Sequence, residues 1–356
     1  MAKHHYVART YLKHFGDPQR KGMLNAFKKP DAKTFTCWPA DVCHEWDGDL
    51  NAAFIKHRPE LLGDFRQIFE PKWDAAVEQL RVGKGITPDD KFMLTGYMAH
   101  LMTCTPSWRR LGTEMYSQDA ARYLSLSKEM QQKSGIAIPD LPVDAIELME
   151  AGEIELRVDP DYVKAIVTKQ LIQQCCLLYH QDWAVLHNET EFPFLTSDNP
   201  CAFLESDRAI GIPTRIWPIT PRVAISVRYN PDLGYLVKSK VADVLARPLS
   251  SRVSHRAVNA DEARRINILT VKCAEELVFS STANEKLAAV VAKYGRYRIA
   301  AEDIEVPSAD GDGVIRGTVI LVSEKSAPED GADRSEAVVS RLKALAEAAG
   351  GKRSDE

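Results

Sequence analysis

The hydrophobic period of this chain changes between Tyr179 and Trp183, from a long helical run to short strands, and that change limits the fold more than any other feature. Ahead of it, apolar residues recur three and four apart. Leu61, Phe65, Ile68, Phe69, Trp73, Ala76, Val77 and Leu80 form one stripe, the pattern of a helix over 60–80. Thr87-Pro88-Asp89-Asp90 supplies an N-cap hydroxyl, a first-turn proline and acids suited to the positive end of a helix dipole. A helix is therefore expected to run to Cys104, where Pro106 breaks it before a second piece reaching about Met130. Residues 134–142 are turn-rich, and Asp159-Pro160 opens a helix over 162–179 that is apolar almost all round and expected to be buried. Behind the change, 183–187, 194–196 and 223–227 are short, β-rich and bounded by Pro, Asn and Asp.

Two capped helices follow, one from Asn259-Ala260-Asp261-Glu262 to about Ala274 and one from Thr282-Ala283-Asn284-Glu285 to about Tyr294. Strands are expected over 23–27 and 314–322, and 33–49 reads as loop. Helices segregated ahead of strands predict an α+β fold, a helical first half packed on a smaller, mostly antiparallel sheet in the second half. Residues 1–324 read as one domain, 325–333 as a flexible linker and 334–349 as a short terminal helix.

Composition narrows the function classes. With 45% hydrophobic residues, the 356-residue chain can bury a sizeable core. The net charge of −4, from 46 basic and 50 acidic residues, gives no global field for nucleic acid, although a local basic groove remains compatible with it. No run of about eighteen apolar residues appears, so no membrane partner is expected. The amino terminus lacks an apolar signal core, and seven scattered cysteines make no disulfide framework, so the expected location is cytoplasmic. Cys37, Cys43 and His44 invite a zinc reading, but Cys-x5-Cys lacks the usual gap and no second ligand pair follows. Walker A, Gly-x-Gly-x-x-Gly, Gly-x-Ser-x-Gly and His-Glu-x-x-His sequences are absent, which takes the main support from nucleotide-driven, dinucleotide-dependent and α/β-hydrolase readings.

Three short boxes carry polar handles. The first is His4-His5-Tyr6-Val7-Ala8-Arg9-Thr10-Tyr11-Leu12-Lys13-His14-Phe15. If its start is extended, His4 and Tyr6 face one way and His5 and Val7 the other. One histidine then serves as metal ligand or general acid/base, or merely as a satisfied residue of a packed terminal strand. The second box, Phe194-Leu195-Thr196-Ser197-Asp198-Asn199-Pro200, runs a strand into a turn of side-chain hydrogen-bonders. Asp198 there is a base or metal ligand if the strand end presents it, and an Asx-turn residue if it only satisfies local backbone. The third, Trp217-Pro218-Ile219-Thr220-Pro221, is expected to form an extended wall.

In this order and spacing the boxes resemble the bacterial domain of unknown function catalogued as number four-two-three-eight, over roughly residues 4–282. Its members open His-His-Tyr-Val-Pro and later carry Thr-Ser-Asp-Asn-Pro and Pro-Leu-Ser-Pro boxes. Ala8 stands where the family has proline, and Ile219-Thr220 replace Leu-Ser. The resemblance implies that the His and Asp boxes belong together; it implies no reaction.

The leading expectation is a hydrolase, with metal-assisted phosphodiester cleavage of a nuclease-like kind as the natural chemistry. His4 or His5 and Asp198 are its catalytic candidates. Tyr6, Arg109, Ser197, Asn199 and Trp217 are candidates to bind substrate, and Glu70 with Asp198 to hold a divalent ion such as Mg²⁺ or Mn²⁺. A non-catalytic module binding a small molecule or nucleic acid is the first alternative, and a structural or interaction protein the second.

Overall fold

A computed structural model of the chain describes residues 2–51, 60–139, 141–204, 214–230, 233, 236, 240–247, 249, 251–307 and 314–324. In chain order, β1 (Lys3–His5), α1 (Arg9–Leu12), β2 (Leu24–Lys28), β3 (Lys33–Cys37) and β4 (His44–Trp46) precede a run of helices. That run comprises α2 (Leu61–Phe69), α3 (Trp73–Arg81), α4 (Pro88–Thr103), α5 (Pro106–Ser134), α6 (Val143–Glu150) and α7 (Pro160–His180). The second half holds β5 (Trp183–Asn188), β6 (Thr196–Ser197), β7 (Ala202–Leu204), β8 (Thr214–Thr220), β9 (Val223–Val227), α8 (Val241–Leu245) and β10 (Val253–Val258). It closes with α9 (Ala260–Cys273), β11 (Leu277–Ser280), α10 (Glu285–Tyr294), β12 (Tyr297–Pro307) and β13 (Val314–Glu324). The expected linker and terminal helix at 325–356 lie outside the described residues.

The fold is α+β, with the helical run ahead of most strands. One sheet has the order β10-β5-β9-β8-β7, antiparallel except where β10 lies parallel to β5. A second, β3-β2-β11-β6, joins amino-terminal strands to late ones, with Leu24–Lys28 pairing β11 directly. The first half is thus less purely helical than expected. The segment 33–49, read as loop, contains β3 and β4: β3 alternates Lys, Thr and Phe and is exposed over Lys33–Thr36, so no apolar pattern marks it. The expected single helix over 60–80 is two helices, because Pro71 interrupts the backbone ladder in a 3-10 turn at Glu70–Lys72. Both nevertheless present one stripe, with Phe69, Trp73, Ala76, Val77 and Leu80 in the same core.

The caps behave as the residues dictate. Thr87 and Asp90 exchange hydrogen bonds in a capping box, as do Asn259 and Glu262. At α10 the expected Thr282–Glu285 box gives way to Asn284, whose side chain accepts from the Lys286 amide. The carboxyl-terminal turns of α7 are buried nearly all round, whereas Tyr162 near its start is exposed. Gly96 on α4 is required by packing, since a Cβ there would meet the Phe69 ring at 2.2 Å. No helix among the described residues is long and apolar enough to cross a membrane, and all seven cysteines are free thiols.

Candidate functional site

The alternation expected of the first box holds. β1 pairs antiparallel with β4, His4 opposite Glu45 and His5 opposite His44. His4 and Tyr6 both line a small cavity with Glu45, Asp49, Thr103, Cys104, Arg109 and Lys164, while the His5 ring points elsewhere, to the Ala40 carbonyl at 3.2 Å. Tyr6 is tied to β4 through its amide, which donates to the Cys43 carbonyl at 2.9 Å. Cys43 adopts the left-handed backbone region, φ 54°, an uncommon conformation for this residue beside a candidate site. The cavity, ≈ 20 Å³, has room for about one water.

Its charges come in two linked pairs. Arg66 from α2 holds Asp49 at 2.7 Å and donates to the His5 carbonyl at 2.7 Å. Arg109, in the first turn of α5, pairs with Glu45. The His4 Nδ1 accepts the Asp49 amide at 3.1 Å, so the neutral ring carries its proton on Nε2. The Arg109 Nε is buried with no partner. Burial and a hydrogen bond to Cys43 leave the Tyr6 phenol raised well above its usual range, burial being the larger cause. Burial likewise pushes the Cys104 thiol up to about 12, which makes it inert rather than nucleophilic.

Glu45 and Arg109 also border an open groove of ≈ 1080 Å³ that includes Arg110, Glu114, Gln118, Arg157 and Arg298. The Arg109–Glu45 pair therefore stands as the shared wall between a water-sized cavity and a groove wide enough for a substrate.

Asp198 lies near enough for its charge to help raise the Tyr6 phenol and the Cys43 thiol, but its own oxygens are committed to backbone. It is 4% exposed, and its carboxylate accepts three backbone amides: Glu275 at 2.9 Å, Glu276 at 2.7 Å and Leu277 at 2.9 Å. From the other side, the Lys29 ammonium donates to the Val271 carbonyl at 2.8 Å and to that of Ala274. The turn from α9 into β11 is thus gripped by its amides and its carbonyls at once. Burial raises the Asp198 carboxyl to about 6, against the lowering effect of the amides and Lys29.

Ser197 and Asn199 are equally committed. The Ser197 hydroxyl donates to the Asn199 carbonyl at 2.8 Å and accepts its amide at 3.1 Å. The Asn199 side chain donates to the Cys273 carbonyl at 2.8 Å and accepts from the Thr105 hydroxyl at 3.2 Å. Thr105 caps the turn that carries Arg109, so this box supports the guanidinium from behind.

The boxes do meet, at an atom not singled out in advance. The Tyr11 hydroxyl lies 2.6 Å from the Thr196 hydroxyl and donates to the Pro218 carbonyl at 2.5 Å. Trp217, a substrate-binding candidate, is fully buried in the core and lines neither the His4 cavity nor the Arg109 groove, with its indole nitrogen unpartnered.

Glu70 and Asp198, the expected metal pair, are each engaged by other partners. Glu70 accepts the Thr10 hydroxyl at 2.7 Å and faces Arg66 at 3.5 Å, so a cation already sits beside it. Among the described residues no group of three or more His, Cys, Asp or Glu side chains could hold a metal ion, and the Cys37–Cys43–His44 segment is no exception. Glu45, Asp49 and Lys164, which complete the lining of the His4 cavity, and Arg66, which holds Asp49, are not among the residues the sequence singles out. Only the strand pairing of Glu45 with His4 could have flagged one of them, and β4 left no apolar alternation to read.

No curated protein and no solved structure matches the chain. A family model described as "Protein of unknown function (DUF4238)" matches residues 3–284, and the chain belongs to that family.

Proposed function

We propose that the chain is a hydrolase of phosphate esters, phosphodiesters foremost, working at the wall between the His4 cavity and the Arg109 groove. The observation that carries this reading is the shared position of Glu45 and Arg109, a carboxylate and a cation facing both a water-sized space and an open groove. Glu45 takes a proton from the cavity water, whose oxygen forms the new bond to phosphorus as the bond to the leaving oxygen breaks. The proton passes on to that leaving oxygen. Arg109, Lys164 and the Nε2–H of His4 stabilise the charge on the phosphoryl oxygens. His4 acts as a donor here instead of a base, because its Nδ1 is occupied by the Asp49 amide and its Nε2 bears the proton. Asp198, Ser197 and Asn199 hold the frame. Tyr6 lines the cavity. No step is routed through a metal, since Glu70 and Asp198 are each engaged by other partners.

The test is turnover of bis(p-nitrophenyl) phosphate by the full chain. Activity that resists EDTA, and that drops about a hundredfold or more in Glu45→Gln, His4→Gln and Arg109→Met, is the expected result. No turnover with or without Mg²⁺ or Mn²⁺ removes the reading. Retention of an oligonucleotide or nucleotide without turnover would instead favour a recognition module using the same groove.

A further inference from the structure

Away from the His4 cavity, β8 carries a half-buried guanidinium whose Nε atom is fully buried. Arg215 of β8 has its partners in the Gln174 amide oxygen at 3.3 Å, the Met102 sulfur and the face of Phe203 at 5.6 Å. Its Nε is buried without a partner, and no carboxylate among the described residues pairs with it. Taking an uncompensated guanidinium out of water is costly, and native structures rarely leave one without a counter-charge. A cavity of ≈ 20 Å³ adjoins it, lined also by Gln174, Leu177, Gln181, Val227 and Tyr229.

Gln181 points the same way independently. It is 1% exposed, and its Oε1 accepts the Asn230 amide at 2.7 Å, which fixes the orientation of the side-chain amide. Its Nε2 is left buried and unpartnered. Two kinds of donor, a guanidinium and an amide, thus border one small, partly open pocket with aliphatic walls. A buried polar group without a partner calls for an unseen water or ion, and here the uncompensated charge selects an ion.

We propose that Arg215 and Gln181 form a binding site for one small monoanion of chloride size. The space admits one such ion. This site shares no residue with the His4 cavity, so it stands or falls apart from the hydrolase reading.

The test is thermal unfolding of the full chain at constant ionic strength, with chloride exchanged for the bulkier methanesulfonate. Wild-type Tm should rise with chloride by roughly 5 °C at a hundredfold excess over Kd. Gln181→Glu places a carboxylate oxygen beside Arg215 while keeping an acceptor for the Asn230 amide. It should melt in chloride-free buffer at or above the wild-type Tm and lose the chloride dependence. Arg215→Met should lose the dependence as well. A wild-type Tm indifferent to chloride overturns the proposal. So does a Gln181→Glu protein that keeps the full chloride response, or one that melts lower than wild type in chloride-free buffer.

Discussion

Around Asp198 every polar atom is matched: three amides meet two carboxylate oxygens, and a lysine covers the carbonyls of the same turn. Behind His4 the same chemical types are left short. Arg109 has a buried nitrogen with no partner, and one helical turn before Thr103 on α4, His100 is buried with both ring nitrogens unpartnered. A carboxylate with three of its roughly four acceptor positions filled by amides is committed chiefly to holding backbone in place. An unsaturated cluster is less stable but keeps groups available. The second box, which reads on paper as the better catalytic candidate, is therefore the frame, and the first box opens onto the candidate site.

This contrast can be broken most directly at Asp198. Asp198→Ala strands three part-buried amides and removes a negative charge near Lys29. A loss of about 3–5 kcal/mol in urea unfolding is expected, and a loss below about 1 kcal/mol would sink the idea of a saturated frame. Asp198→Asn should retain more stability, since an amide oxygen still accepts.

The two regions should also titrate with opposite sign. The folded Asp198 carboxyl, raised to about 6 by burial, binds a proton that the unfolded chain, with its ordinary value of 3.8, has released. Its contribution is fully present below about 4 and is lost as pH rises through about 6. Burial lowers His100 to about 3 from 6.5, so the unfolded chain takes up a proton the folded one refuses. That contribution is present above 6.5 and lost as pH falls toward 3. Between pH 4 and 6 the two slopes, each about 1.4 kcal/mol per pH unit, oppose one another. Stability of Asp198→Asn should therefore fall with acid more steeply than wild type, and that of His100→Gln should rise. Parallel pH profiles for all three proteins would contradict both assignments.

A smaller effect is expected at the junction of the boxes. Tyr11→Phe deletes the hydroxyl that meets Thr196 and Pro218, at a cost of about 1–3 kcal/mol in thermal unfolding with the groove unaltered. Smallest of all, His5→Ala removes a contact to the Ala40 carbonyl and a tilted ring contact with His44. It should cost about 1 kcal/mol or less and leave phosphodiester turnover at the wild-type rate, whereas His4→Gln abolishes it. Equal losses in the two histidine variants would erase the distinction between the cavity face and the outer face of β1.

The sequence carried most of the helical half. Thr87-Pro88 and Asn259 start their helices where hydroxyl, proline and amide chemistry demand, and the period change at 179–183 separates helices from strands. Strands without alternation were illegible: β3 exposes four of its five residues, and β4 is His-Glu-Trp. The site was half legible for a related reason. His4 and Tyr6 share a face because strand geometry is local, and Arg109 follows a helix-opening proline. Asp49, Arg66 and Lys164 reach the same place from a loop and two different helices, and no spacing rule links such segments. Tyr11 was passed over because its importance lies in two partners about 190 and 210 residues away.

The pairing of β2 with β11 has a consequence for how the protein is made. Lys28 aligns with Leu277, so the first strands wait for about 250 further residues before their partner exists. At about 5–20 residues per second, the ribosome needs roughly 12–50 s to deliver it. During that interval the exposed edge of β2 has no native neighbour on that side. The residues that line the His4 cavity, all between 4 and 167, are made long before β11, so β2 is the element that waits while its neighbours in sequence already have their partners.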